Sequence, residues 1–118
     1  MRFSEAESYS IDLEGSRAVA KVWRTPHLDS ATGARLAGEM ISDIKRALPQ
    51  VKTVLFDITE APPIAGPKTT EALGGLLETC ERAGVVIEVL TENDAMKVLQ
   101  FKRLIAAHAP KMGRLTVR

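Results

Sequence analysis

Between Ser8 and Glu14 apolar and polar residues alternate, with Tyr9, Ile11 and Leu13 set against Ser8, Ser10 and Asp12. That two-residue period belongs to a strand with one buried face. Arg17 to Arg24 is a second such run, richer in apolar residues, with Val19, Val22 and Trp23. Glu14-Gly15-Ser16 between them predicts a tight turn in which glycine takes a positive φ, and hence an antiparallel hairpin. Past Thr25-Pro26 the period lengthens. Ala37, Met40, Ile41, Ile44 and Leu48 form one stripe at helical spacing, with Asp29 or Ser30 able to cap the helix and Pro49 to stop it.

Lys52 to Thr59 carries the nearly continuous run Val54-Leu55-Phe56 with Ile58, which predicts a central strand covered on both faces. Glu60 to Pro67 holds three prolines and reads as a stiff loop. A second helix follows with Leu73, Leu76, Leu77, Cys80 and Ala83 on its inner stripe and Gly84 as its stop. Val85 to Thr91 predicts another buried strand, Asn93 or Asp94 caps a third helix running to about Ala109, and Arg114 to Val117 predicts a last short strand. The resulting order, β-β-α-β-α-β-α-β, is an α/β domain with a mixed, mostly parallel sheet and helices packed against it. No linker, repeat or low-complexity run divides residues 1–118, so one domain is expected.

Composition narrows the function classes. Hydrophobic residues are 45% and charged residues 26% of the chain, which are ordinary globular values. The apolar runs are too short to span a bilayer. The N-terminal segment has acids where an export signal would have its apolar core, which predicts a cytoplasmic address. A single cysteine, Cys80, fits a reducing compartment. Net charge is +1, yet all 15 acidic residues precede position 95, and six basic residues with no acid follow. Such an end attracts anionic partners or is simply a solvated basic helix face.

The element order, together with Val54-Leu55-Phe56-Asp57-Ile58-Thr59 as a strand and Ala72-Leu73-Gly74-Gly75-Leu76-Leu77-Glu78 as the helix after it, resembles the STAS domain, the fold of bacterial anti-sigma-factor antagonists. Gly84 to Leu90 and Asn93 to Leu104, with its Val98-Leu99 pair, are similar to that family's next strand and helix. The resemblance implies a regulatory module that binds a kinase-like or anti-sigma-like protein, needs no cofactor, and is switched by phosphorylation at the start of the second helix. The family's Asp-Ser pair is absent there and the loop is longer, so Thr69 and Thr70 are the residues standing at that position. Family members add a closing helix after the last strand. Its absence from this sequence leads to an expectation of a less covered sheet and of homo-oligomers.

Residue by residue, Asp57 falls near the carboxyl end of a central strand, where open α/β sheets place their crevice, and reads either as a loop-ordering or partner-facing group or as a local turn carboxylate. Asp57, Glu60, Ile64, Thr69 and Thr70 make up the expected docking surface. A phosphate on Thr69 or Thr70 would meet the free N–H groups of a helix start; alternatively one of the two caps the helix. Gly74-Gly75 matches no nucleotide-binding fingerprint and predicts close packing of helix on sheet. Cys80 reads as core. His27 and His108 have no partners at metal-ligand spacing. Tyr9 and Trp23 are expected to pack in the core or across the hairpin. No paired acid and base or activated nucleophile stands out, so a non-catalytic protein-binding role leads. The alternatives are a self-assembling component, or a small-ligand or anionic-lipid binder using Lys97, Lys102, Arg103 and Lys111. Neither nucleic acid nor a membrane span enters the reading.

Overall fold

A computed structural model describes residues 1–25 and 29–118. Six strands form one sheet in chain order: β1 (Arg2–Glu5), β2 (Tyr9–Glu14), β3 (Arg17–Trp23), β4 (Thr53–Glu60), β5 (Val86–Thr91) and β6 (Gly113–Val117). β1, β2 and β3 are antiparallel neighbours, and β3 to β6 are all parallel, so the sheet is mixed. Each parallel step is bridged by a helix: α1 (Ser30–Ala47), α2 (Pro67–Ala83) and α3 (Ala95–His108).

The predicted start and stop signals act as their chemistry requires. Asp29 accepts a hydrogen bond from the Thr32 N–H at 2.7 Å and caps α1. Pro49 falls in a short 3₁₀ turn that ends the helical run. Gly15 and Gly84 take φ of 62° and 70°, the left-handed conformations that the hairpin and the end of α2 need. Asp94, rather than Asn93, caps α3 through the Lys97 N–H.

β1 was not expected. Its sequence, Arg-Phe-Ser-Glu, has one apolar side chain and no alternation, so hydrophobic period cannot reveal it. Beyond its pairing with β2 and the packing of Phe3, it is tied down by a polar contact: Asp43 on α1 accepts hydrogen bonds from Ser4 Oγ at 2.5 Å and from Tyr9 Oη of β2 at 2.9 Å, and pairs with Arg46 at 2.6 Å. The same Arg46 guanidinium lies 5.2 Å over the Phe3 ring. Burial of Asp43 opposes its ionisation, but hydrogen bonds from Ser4, Arg46 and Tyr9 outweigh it and hold the carboxyl below its ordinary range.

Burial along the strands corrects a second expectation. β4 is central, yet it alternates: Val54, Phe56 and Ile58 are buried, while Thr53, Leu55, Asp57 and Thr59 are only half-buried. Ile87, Val89 and Thr91 of β5 and Ala18 and Ala20 of β3 share the buried side, and Val86, Glu88, Leu90, Val19 and Lys21 the other. All three helices cover the first side, leaving the second bare. Parallel strands are usually covered on both sides, which is why so apolar a run suggested it.

The helix layer is tuned by its glycines. A Cβ at Gly74 would lie 2.8 Å from His108 Nε2, so this glycine serves packing of α2 against the end of α3, not against the sheet. Gly75 faces open space. Because Ala is favoured over Gly in a helix interior by about 1 kcal/mol, Gly75→Ala should raise the free energy of unfolding by about 0.5–1 kcal/mol. Gly74→Ala must displace an imidazole bonded to Glu78 at 2.6 Å and should be the less stable of the two. Chemical denaturation of both variants checks the order. Ala83, expected on the inner stripe of α2, is exposed, while Leu36, not expected, is buried.

Candidate functional site

The loop from Ala61 to Gly66 leaves the carboxyl end of β4 and delivers the chain to α2. It is stiffened by Pro62 and Pro63 and then fixed in place by two side chains of α3. Lys97 is 1% exposed, and its ammonium donates to the carbonyls of Ile58 and Ala61 and pairs with Glu92 at 2.7 Å. All three N–H bonds therefore have an acceptor, the condition under which a lysine can be buried. The hydrogen bond from Lys97 is the largest influence on Glu92, whose carboxyl is held below its ordinary range. One turn on, the Gln100 amide accepts from the Ile64 N–H at 3.0 Å and donates to the Ile64 carbonyl at 3.1 Å, closing a two-bond clamp on the loop backbone.

The five predicted docking residues divide between three places. Asp57 lies on the bare side of the sheet, where Oδ1 accepts from the Thr59 N–H at 3.0 Å and the Thr59 hydroxyl at 2.7 Å, the local turn arrangement that the sequence left open. Glu60 pairs with Lys21 at 2.7 Å, and that contact keeps the ammonium more basic than usual. Ile64 and Thr69 are brought together on the wall of a cavity beneath the loop. Thr70 is exposed, about a third of a turn around α2 from Thr69, in a shallow groove with Glu71, Glu78 and His108. Neither threonine caps the helix. The cap is Gly66 at φ 88°, followed by Pro67 at the first helical position, and the Thr70 hydroxyl donates to the Gly66 carbonyl at 3.1 Å.

Lys97 was read as part of a basic surface with Lys102, Arg103 and Lys111. Its burial overturns that grouping. Lys102 and Arg103 are exposed on α3, and Lys111 stands in the turn before β6, where its backbone N–H donates to Glu81. Beside these basic residues α3 also presents two large apolar side chains outward, Met96 at 60% and Leu99 at 48% exposed, in the turn before Gln100. Their spacing of three placed them on one helix face, but the basic residues around them concealed the stripe.

The cavity beneath the loop has a volume of about 480 Å³ and lies between α1, the carboxyl ends of β3 and β4, the loop and the first turns of α2. Tyr9, Trp23, Phe56 and Phe101 all line it. Tyr9 stands opposite Val22 in the ladder, not Trp23. The Trp23 indole donates to the Glu7 carbonyl at 3.0 Å, and Phe56 and Phe101 meet edge to face at 6.3 Å.

Cys80 is fully buried, and burial pushes its thiol up to about 11, which suits a core side chain and not a nucleophile. Among the described residues no three His, Cys, Asp or Glu side chains converge to hold a metal ion; His27 lies outside them. No helix among them is long and apolar enough to cross a membrane. Comparison with protein-family models, with curated proteins and with solved structures finds no match. The described residues thus define an α/β protein with a mixed six-stranded sheet, three helices on one side, and a clamped loop at the carboxyl end of the parallel strands.

Proposed function

We propose that this chain is a non-catalytic binding module, resembling an anti-sigma-factor antagonist, that docks a regulatory protein through the loop after β4, the start of α2 and the adjoining edge of α3. The observation that carries the reading is the clamp: Lys97 and Gln100 fix the loop backbone from below while Pro62, Ala65, Gly66, Pro67 and Lys68 stay exposed above. A surface already ordered before contact loses little entropy on binding. Met96 and Leu99 extend it with the kind of exposed apolar side chains that anchor interfaces.

Phosphorylation fits this surface best at Thr70, whose side is exposed, whereas Thr69 turns toward the cavity. A phosphate on Thr70 adds close to two negative charges beside Glu71 and Glu78 and opposes docking. The test is quantitative affinity capture from the native cells with wild type and the Thr69→Glu/Thr70→Glu double variant. A kinase-like or sigma-regulating protein retained by the first and reduced about tenfold or more with the second is the expected result. Equal recovery overturns the switch.

The bare sheet side favours a second reading, self-association through Val19, Leu55, Val86 and Leu90 together with the charged residues among them. Sedimentation that shifts with protein concentration and collapses in high salt would favour this reading over the first.

A further inference from the structure

We infer that the cavity beneath the loop is a binding site for a small monocarboxylic acid with a flat apolar body. Of the five aromatic residues in the chain, four line this one space. Its floor is built from buried side chains, Met40, Phe56, Ile58 and Leu73 among them, and its solvent side from the exposed Arg24, Asp29 and Pro62. At about 480 Å³ it falls within the range that holds small organic ligands.

The polar groups in the lining decide the chemistry. Tyr9 Oη is committed to Asp43, the Trp23 indole and the Thr25 hydroxyl to the Glu7 carbonyl, and the Asp29 carboxylate to the start of α1. These four are already partnered, and the Ser8 and Thr69 hydroxyls are the other small polar side chains in the lining; among so many apolar neighbours the interior favours a mainly apolar body, and aromatic walls favour a flat one. Arg24 differs. Its backbone N–H is used, by the Glu60 carbonyl, but its guanidinium forms no ion pair among the described residues. A guanidinium at the opening of an apolar chamber is suited to one carboxylate at the end of that body. The site shares the loop after β4, Pro62 and Ala65 included, with the proposed docking surface, but it occupies the cavity beneath that loop and stands whether or not a protein partner binds above it.

Trp23 is the chain's single tryptophan, so its indole N–H gives one resolved signal at the cavity wall. Titration of the full chain with 2-naphthoate, followed by two-dimensional NMR, should move that signal saturably with a midpoint below about 1 mM. Arg24→Gln should weaken 2-naphthoate about tenfold and leave 2-naphthamide unchanged. Ala37→Leu, which fills the cavity from α1, should weaken both about tenfold or more at an unreduced thermal midpoint, and Ala34→Leu serves if that variant folds poorly. No saturable shift, equal effects of Arg24→Gln on acid and amide, or wild-type affinity in a folded filled variant would each overturn the assignment.

Discussion

Lys97→Met should lower the free energy of unfolding by about 2 kcal/mol, because the Ile58 and Ala61 carbonyls lose a charged donor in a buried setting, while Glu92, 43% exposed, keeps access to water. Methionine keeps the apolar stem and deletes only the ammonium, so the loss reports on the three acceptors. The Ile58 and Ala61 carbonyls lose their bonds to the ammonium, Ile58 retaining the bond from the Ala61 N–H, and Glu92 loses its cation. The effect has a location as well as a size. Hydrogen exchange should accelerate most at Ile64, whose N–H is protected by Gln100 one turn along α3, before the sheet responds. Denaturant melts and exchange together check it; a variant within about 0.5 kcal/mol of wild type would show that the clamp does not hold the loop.

Acid should destabilise the chain through Asp43 and Glu92, with the exposed α1 cap Asp29 shifted in the same direction, and Asp43→Ala should remove one of these contributions at a cost of about 2 kcal/mol near neutral pH, since Ser4, Tyr9 and Arg46 lose a shared acceptor. Asp43 and Glu92 both have folded pKa values below their ordinary ones. Their stabilisation is therefore complete above the unfolded value of about 4 and disappears as pH falls through the lower folded value. Wild type should lose stability steadily below about pH 5, and Asp43→Ala should show a shallower slope there. Melting curves from pH 7 to pH 3 measure both slopes. Parallel slopes would mean that Asp43 is not preferentially ionised in the fold.

The parts of this fold legible from sequence are those written in hydrophobic period. The hairpin, the stripes of α1 and α2 and the strands β4 and β5 all follow from it, and the ends of α1 and α2 follow from Asp29, Pro49 and Gly84. β1 was hidden because its one apolar residue, Phe3, sets up no period and its other side-chain anchor is polar, Ser4 on Asp43. The sidedness of β4 was hidden because Leu55 makes an alternating strand look continuous. The site was half legible. The proline-rich loop announced itself, but the residues that fix it, Lys97 and Gln100, lie more than thirty residues away and look like ordinary solvent-facing positions. Asp57 was placed correctly at the end of a strand, and only the sheet shows that it turns away from Ile64 and Thr69.

Photo-crosslinking in the native cells tests the docking surface most directly, with a photoreactive amino acid placed in turn at Pro62, Leu99 and Leu55. The account predicts adducts to the same heterologous protein from Pro62 and Leu99 and none to it from Leu55 on the bare sheet side. Adducts from Leu55 alone, joining the chain to itself, would contradict it and establish the sheet side as the working surface.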